Sequence, residues 1–156
     1  MRIRSATVDD SIALSAILMS HRVLLTIDPT GAGAEEFFRR VSPEAITENI
    51  ASSRFIHYVA EVDGIPIGYV SLRDNSHLFH LFVAVSHHGQ GVGCSLWDHV
   101  RDHALRSGNP GTFTVNSSPN ATAVYETFGF LRAGTRQEMH GIAFIPMRMQ
   151  ATASDA

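Results

Sequence analysis

The chain has 156 residues, 44% of them hydrophobic and 17% charged, with a formal net charge of −3. That length and composition suit one domain with a sizeable core, and they exclude a disordered chain and a basic nucleic-acid-binding surface. A single cysteine, Cys94, excludes an internal disulfide, and no apolar run approaches a secretory signal or a membrane span, so a soluble cytoplasmic protein is expected.

Residues 2–6 predict a short first strand. Thr7 then offers a helix cap with Asp10 three residues on, and Ile12, Leu14, Ile17 and Leu18 make a helical stripe running to residue 22. Residues 28–33, written DPTGAG, read as a loop. Short helices are expected over 34–40 and 43–51, the second with Ser42 as cap and Pro43 in its first turn. The pattern then changes. Strands over 55–62 and 66–72 flank the turn Asp63-Gly64, a hairpin signal. Residues 77–85, HLFHLFVAV, are nearly continuous in apolar character, as in a strand buried on both faces. Val92, Leu96, Val100 and Ala104 recur every fourth residue and predict a helix of four turns, ended by Ser107-Gly108-Asn109-Pro110. A strand over 111–115, a short helix over 120–128 and strands over 130–133 and 141–149 complete a mixed α/β sheet. No internal repeat or linker divides residues 2–150, and 151–156 form a small polar tail expected to fray.

The stretch HHGQGVGC, residues 87–94, joins a buried strand to a helix. Free N–H groups at a helix start, together with the helix dipole, favour an anion, and missing side chains let it approach the main chain. A phosphate or diphosphate is the natural guest. The absence of Gly-Lys-Ser/Thr excludes the NTPase loop, and Gly89, Gly91 and Gly93 give G-x-G-x-G rather than the dinucleotide G-x-G-x-x-G.

In its setting, LFVAVSHHGQGVGCSLW resembles the acyl-CoA signature of the GNAT superfamily of N-acetyltransferases, a buried strand leading into Gln/Arg-x-x-Gly-x-Gly/Ala and a helix. VNSSPNATAVYETFGF resembles that family's asparagine segment and the helix ending Tyr-Glu-x-x-Gly-Phe, and the element order agrees. The resemblance spans residues 2–150, and it implies an α/β (α+β) fold of one domain, a mixed, mostly antiparallel sheet flanked by helices. It implies acetyl-CoA as co-substrate, with the pantothenate arm along Leu81, Phe82 and Val83 and the diphosphate on the amides of Gly89, Gln90, Gly91, Val92, Gly93 and Cys94. His88 stands where the family has Gln or Arg, and protonation there would make binding pH-sensitive. Asn116 and Asn120 are alternative contacts to the arm.

Acetyl transfer to an amine needs a base for the ammonium proton, a donor for the oxyanion and a proton for the leaving thiolate. The resemblance implies a main-chain N–H near Val83 as oxyanion donor and Tyr125 as acid. His77 falls where one branch of the family has a glutamate base, with His80 as rival; ideal alternation puts the two on opposite faces, but the family often has a bulge in this strand, so parity does not choose the face. The resemblance implies direct transfer within a ternary complex and places Cys94 at the diphosphate, so no covalent role is expected of it. His99 and His103, four apart, read as a solvated helix face rather than a metal site, and no metal is expected; Trp97, Phe128 and Phe130 read as core.

The resemblance implies an acceptor pocket built from residues 21–40 and 134–146, where Asp28, Glu35 and Glu36 mix with Arg22, Arg39 and Arg40, and Arg136 with Gln137, Glu138 and His140. Such mixed charge names no substrate beyond a small-molecule or peptide amine. A non-catalytic acyl-CoA-binding module and a transferase using another acyl donor or a hydroxyl acceptor are the alternatives. The family often dimerises, so a homodimer is possible in principle, and neither nucleic acid nor membrane is an expected partner.

Overall fold

The computed structural model describes residues 1–150. The tail over 151–156 lies outside the described residues. Strand β1 (Arg2–Ser5) leads through a 3-10 turn (Val8–Asp10) into α1 (Ser11–Ser20) and then α2 (Arg22–Leu25), α3 (Glu35–Arg40) and α4 (Pro43–Ala51). Then come β2 (Phe55–Val62), β3 (Ile65–Arg73), β4 (His77–Val83), a 3-10 turn (Val85–His87) and α5 (Val92–Arg106). The chain closes with β5 (Thr112–Ser117), α6 (Thr122–Phe128), β6 (Leu131–Arg132), β7 (Gln137–Met139) and β8 (Ile142–Gln150). The sheet order is β1-β2-β3-β4-β5-β8-β6, with β7 on β8. Every pairing is antiparallel except β4 with β5. This is the single-domain mixed sheet expected.

The local signals explain most elements. Asp63 (φ 52°) and Gly64 (φ 78°) both take the left-handed region that a two-residue hairpin turn demands. Ser42 caps α4 by accepting the Ala45 N–H at 3.2 Å, with Pro43 in the first turn. Asp10 accepts the Thr7 N–H at 2.8 Å and both arms of the Arg4 guanidinium at 2.8 and 2.9 Å. The Arg4 hydrogen bonds, first among its influences, hold the Asp10 carboxyl below its usual range.

The helices cover opposite faces. The α5 stripe Val92, Leu96, Val100 and Ala104 is buried as expected, together with Trp97, against Val70, Leu72, Leu78 and Phe113. Trp97 stacks on Phe128 at 5.9 Å and leans on Phe130 at 5.4 Å. On the other face Leu14, Ile17, Leu18 and Ile46 from α1 and α4 close over Val59 and Tyr69. Ile12 departs from the predicted stripe: two positions before Leu14 it lies on the far side of the helix, and it is exposed. The first helix also ends earlier than predicted, because the chain breaks at His21 before α2. The predicted strand 77–85 stops at Val83, and β7 carries no sequence signal at all, being three exposed residues.

Candidate active site

Two features of β4 shape the site. Its pairing with β5 lasts for two residues only, His77 with Thr114 and Leu78 with Val115. Beyond Leu78 the strands part, and one edge of β4 stays open. Ala84 donates its N–H to the Ile67 carbonyl at 2.7 Å. Main-chain direction alternates along a strand, so Phe82 also points to β3, while Leu81 and Val83 present N–H and C=O groups to the gap. Phe82 thus faces the cavity by its side chain rather than by its main chain.

The second feature is a bulge. Ser71 pairs with His80 but Leu72 with Leu78, so Phe79 is an extra residue on β4. The extra residue cancels the odd spacing between His77 and His80. Their cross-strand partners, Arg73 and Ser71, share one face, so both histidines lie on that face. Ideal alternation fails here; the family resemblance allowed for a bulge in this strand, but nothing in the local sequence places it at Phe79.

The gap is part of a cavity of about 530 Å³ that reaches Gly93 at the start of α5, Tyr125 on α6, and β8. Gly91 is the residue before α5, in the left-handed region (φ 77°), as is Gly89 (φ 73°). A Cβ at either would meet nothing, so backbone conformation is what selects glycine there. Gly93 is different. It is helical, and a Cβ would meet only Val83 Cγ2, at 3.9 Å. Neither backbone nor packing requires glycine at this position, which faces the cavity.

His88 does not turn toward the loop amides. Its Nε2–H donates to the Val83 carbonyl at 2.8 Å, as does His21 Nε2–H, also at 2.8 Å, and the two rings stack at 5.5 Å. His21 was missed by sequence reasoning, since only the fold brings residue 21 to the end of β4. Asn116 and Asn120 both line the cavity from β5 and the turn before α6. Cys94 is exposed.

Burial sets the protonation states. His80 is buried with no partner for Nε2, and desolvation, helped by His57, lowers it to about 3. His77 is lowered too, by desolvation and then by Arg73, and its Nδ1 lies 2.8 Å from Thr114 Oγ1. His57, behind them, accepts the Tyr69 hydroxyl at Nδ1 (2.8 Å) and donates from Nε2 to the Asn49 carbonyl (3.0 Å); desolvation lowers it as well. Tyr125 is buried, and desolvation alone pushes its hydroxyl up to about 12. Its ring is held edge-on by Phe128 and Phe130.

These shifts have a consequence for stability. As pH falls through about 6.5 the unfolded chain binds protons that the folded histidines refuse. The contribution of His57, His77 and His80 is therefore complete above that pH and is lost progressively below it. The thermal midpoint is expected to fall steadily from about pH 6.5 toward pH 4.5, and less steeply in His80→Phe. Parallel profiles for the two proteins would contradict the burial of a neutral His80.

The charges expected in the acceptor pocket mostly lie elsewhere. Glu36 pairs with Arg39 and Arg40, Arg136 with Glu138, and Asp28 with Thr30. Of the expected charged set only Arg40 and His140 line the cavity. His99 donates its Nδ1–H to the Ser95 carbonyl of its own helix at 2.9 Å, while His103 Nδ1 meets the Tyr58 hydroxyl at 2.8 Å. Among the described residues no three His, Cys, Asp or Glu side chains gather as metal ligands, and no helix is long and apolar enough to cross a membrane.

The family model described as acetyltransferase (GNAT) domain matches residues 25–151. No curated protein sequence matches the chain. Solved structures share the fold. A GCN5-related N-acetyltransferase from Rhodopseudomonas palustris is 23% identical, with a TM-score of 0.71 over 96% of this chain and 95% of that one. The PaiA N-acetyltransferase of Thermoplasma acidophilum, solved in complex with coenzyme A, is 18% identical, with a TM-score of 0.71 over 96% and 98%. A ribosomal-protein-alanine N-acetyltransferase from Brucella melitensis is 21% identical, with a TM-score of 0.70 over 97% and 100%.

Proposed function

The chain belongs to the GNAT acetyltransferase domain family, and from that premise we propose that it transfers the acetyl group of acetyl-CoA to a primary amine by direct attack. The observation that carries this reading is the parting of β4 from β5 beyond Leu78. The gap offers the main-chain groups of Leu81 and Val83, which no neighbouring strand pairs, to an extended amide-bearing arm, and it runs to the glycine turn at the start of α5. The arm would lie in the gap, within reach of Asn116 and Asn120, and the diphosphate would sit on the amides from Gly89 to Cys94. Where the arm needs the Val83 carbonyl, it displaces the imidazoles of His21 and His88.

In this arrangement the amine nitrogen attacks the thioester carbonyl and a C–N bond forms. The oxyanion takes a hydrogen bond from a β4 N–H in the gap, that of Leu81 or Val83. The C–S bond then breaks, and the Tyr125 hydroxyl protonates the departing sulfur. His77 removes the amine proton, directly or through water. With Nδ1 engaged by Thr114 Oγ1 at 2.8 Å, the tautomer that donates from Nδ1 leaves Nε2 as the basic atom. His80, at about 3, is too weak a base for the task.

Calorimetry with acetyl-CoA, against ATP and NAD, tests the ligand, and thiol release with an amine panel tests the transfer. Binding of acetyl-CoA alone among the three supports the reading; uptake of ATP or NAD in its place contradicts it. His77→Gln is expected to lower kcat/KM by about 10² near neutral pH and to remove the acid limb of the profile, while His80→Gln costs less than about tenfold. The reverse ranking would move the base to His80.

A further inference from the structure

Among the described residues, none of those lining the cavity that would hold the acceptor is Asp or Glu, and Arg40 is the only one with a fixed charge. An ammonium group taken out of water without an anionic partner is costly by several kcal/mol. The reacting amine escapes that cost, because an apolar wall lowers its pKa and favours the neutral nucleophile. A second ammonium on the same molecule does not escape it, and Arg40, held by Glu36 at 3.1 Å, offers it no anion.

The rim gives an independent sign. Leu24, Val124 and Met139 line the mouth of the cavity while remaining 63%, 49% and 53% exposed. Val23 on α2 and Ile27 beyond its end, also exposed, continue this apolar edge and border a smaller recess, lined also by Arg136, that shares Leu24 and Ala143 with the cavity. Large apolar side chains gathered in water at the entrance of a site mark contact with an apolar ligand.

Building on the proposed acetyl transfer, we propose that the acceptor is a monoamine on an apolar body, aliphatic or aromatic, with no second cation. Polyamines and aminoglycosides are excluded by the same chemistry. The apolar body lies between α2 and β8 and reaches the rim at Leu24 and Met139, while its amine meets the thioester in the gap.

The test measures kcat/KM at saturating acetyl-CoA for phenethylamine, octylamine, a peptide amide with an N-terminal phenylalanine, spermidine and an aminoglycoside. Binding of each to the CoA-loaded protein is followed by thermal shift. The best apolar amine is expected to exceed spermidine and the aminoglycoside at least about tenfold. The rank of the peptide against phenethylamine tells a peptide source from a free amine, and either carries the proposal. Leu24→Glu, at an exposed position, is expected to narrow or reverse the gap to spermidine by about tenfold. Equal or better turnover of spermidine or the aminoglycoside by the unaltered protein overturns the inference. So does a CoA-loaded protein that neither binds nor acetylates any apolar amine. An acetyl-CoA isotherm on the same preparation keeps these failures apart from failure of the transferase reading, which predicts binding whatever the acceptor.

Discussion

Tyr125→Phe is expected to lower kcat by about 10², within the range for loss of a positioned acid, and to leave acetyl-CoA affinity within about twofold. The ring is fixed by Phe128 and Phe130, and phenylalanine keeps those contacts, so the fold is not at stake. What disappears is one proton donor. Burial pushes the hydroxyl up to about 12, so it is fully protonated at neutral pH. A thiol in water has a pKa near 8.5, which makes tyrosine look a poor acid for a thiolate. The same desolvation, however, raises the proton affinity of a thiolate leaving inside the cavity, and the two groups move together. Thiol release by the variant is checked by steady-state kinetics, with calorimetry for the affinity. Unchanged kcat would remove Tyr125 from the chemistry.

Gly93→Leu is expected to act in opposite directions on the free protein and on its complex. Leucine is a far better helix residue than glycine, so the free protein should gain about 0.5–1 kcal/mol. The added side chain would stand where the arm meets the diphosphate, and acetyl-CoA binding should weaken at least about 10²-fold. Denaturant unfolding and calorimetry read the two effects separately. The same change at Gly91 would be ambiguous, since any side chain at φ 77° strains the turn itself. A Gly93→Leu protein that is more stable and still binds would show that the loop holds no ligand.

The parts of this fold written in local periodicity could be read directly. The β2–β3 hairpin announces itself through Asp63-Gly64, and α5 through a fourfold apolar spacing that the structure buries residue by residue. The Tyr125 motif was legible because its glycine ends α6: the Gly129 N–H turns back to the Glu126 carbonyl and sends Phe130 into the core. What escaped reading depends on distant partners. The Phe79 bulge exists only in the register between β4 and β3, and it alone decides that His77 and His80 share a face. His21 reaches Val83 only because α1 crosses the end of β4. Which charges of the expected acceptor walls reach the cavity was illegible for the same reason. Residues 21–40 and 134–146 are rich in charge along the chain, yet Arg39 and Glu138 spend it on partners outside the cavity, and Glu36 pairs with both Arg39 and the cavity-lining Arg40.

The most direct test of the central claim is a crystal structure of the acetyl-CoA complex. It should place the arm against the open edge of Leu81 and Val83, the diphosphate within hydrogen-bonding distance of N–H groups between Gly89 and Cys94, and the thioester sulfur beside the Tyr125 hydroxyl. A nucleotide seated on another face, with the gap between β4 and β5 closed or filled by the protein's own side chains, would contradict it.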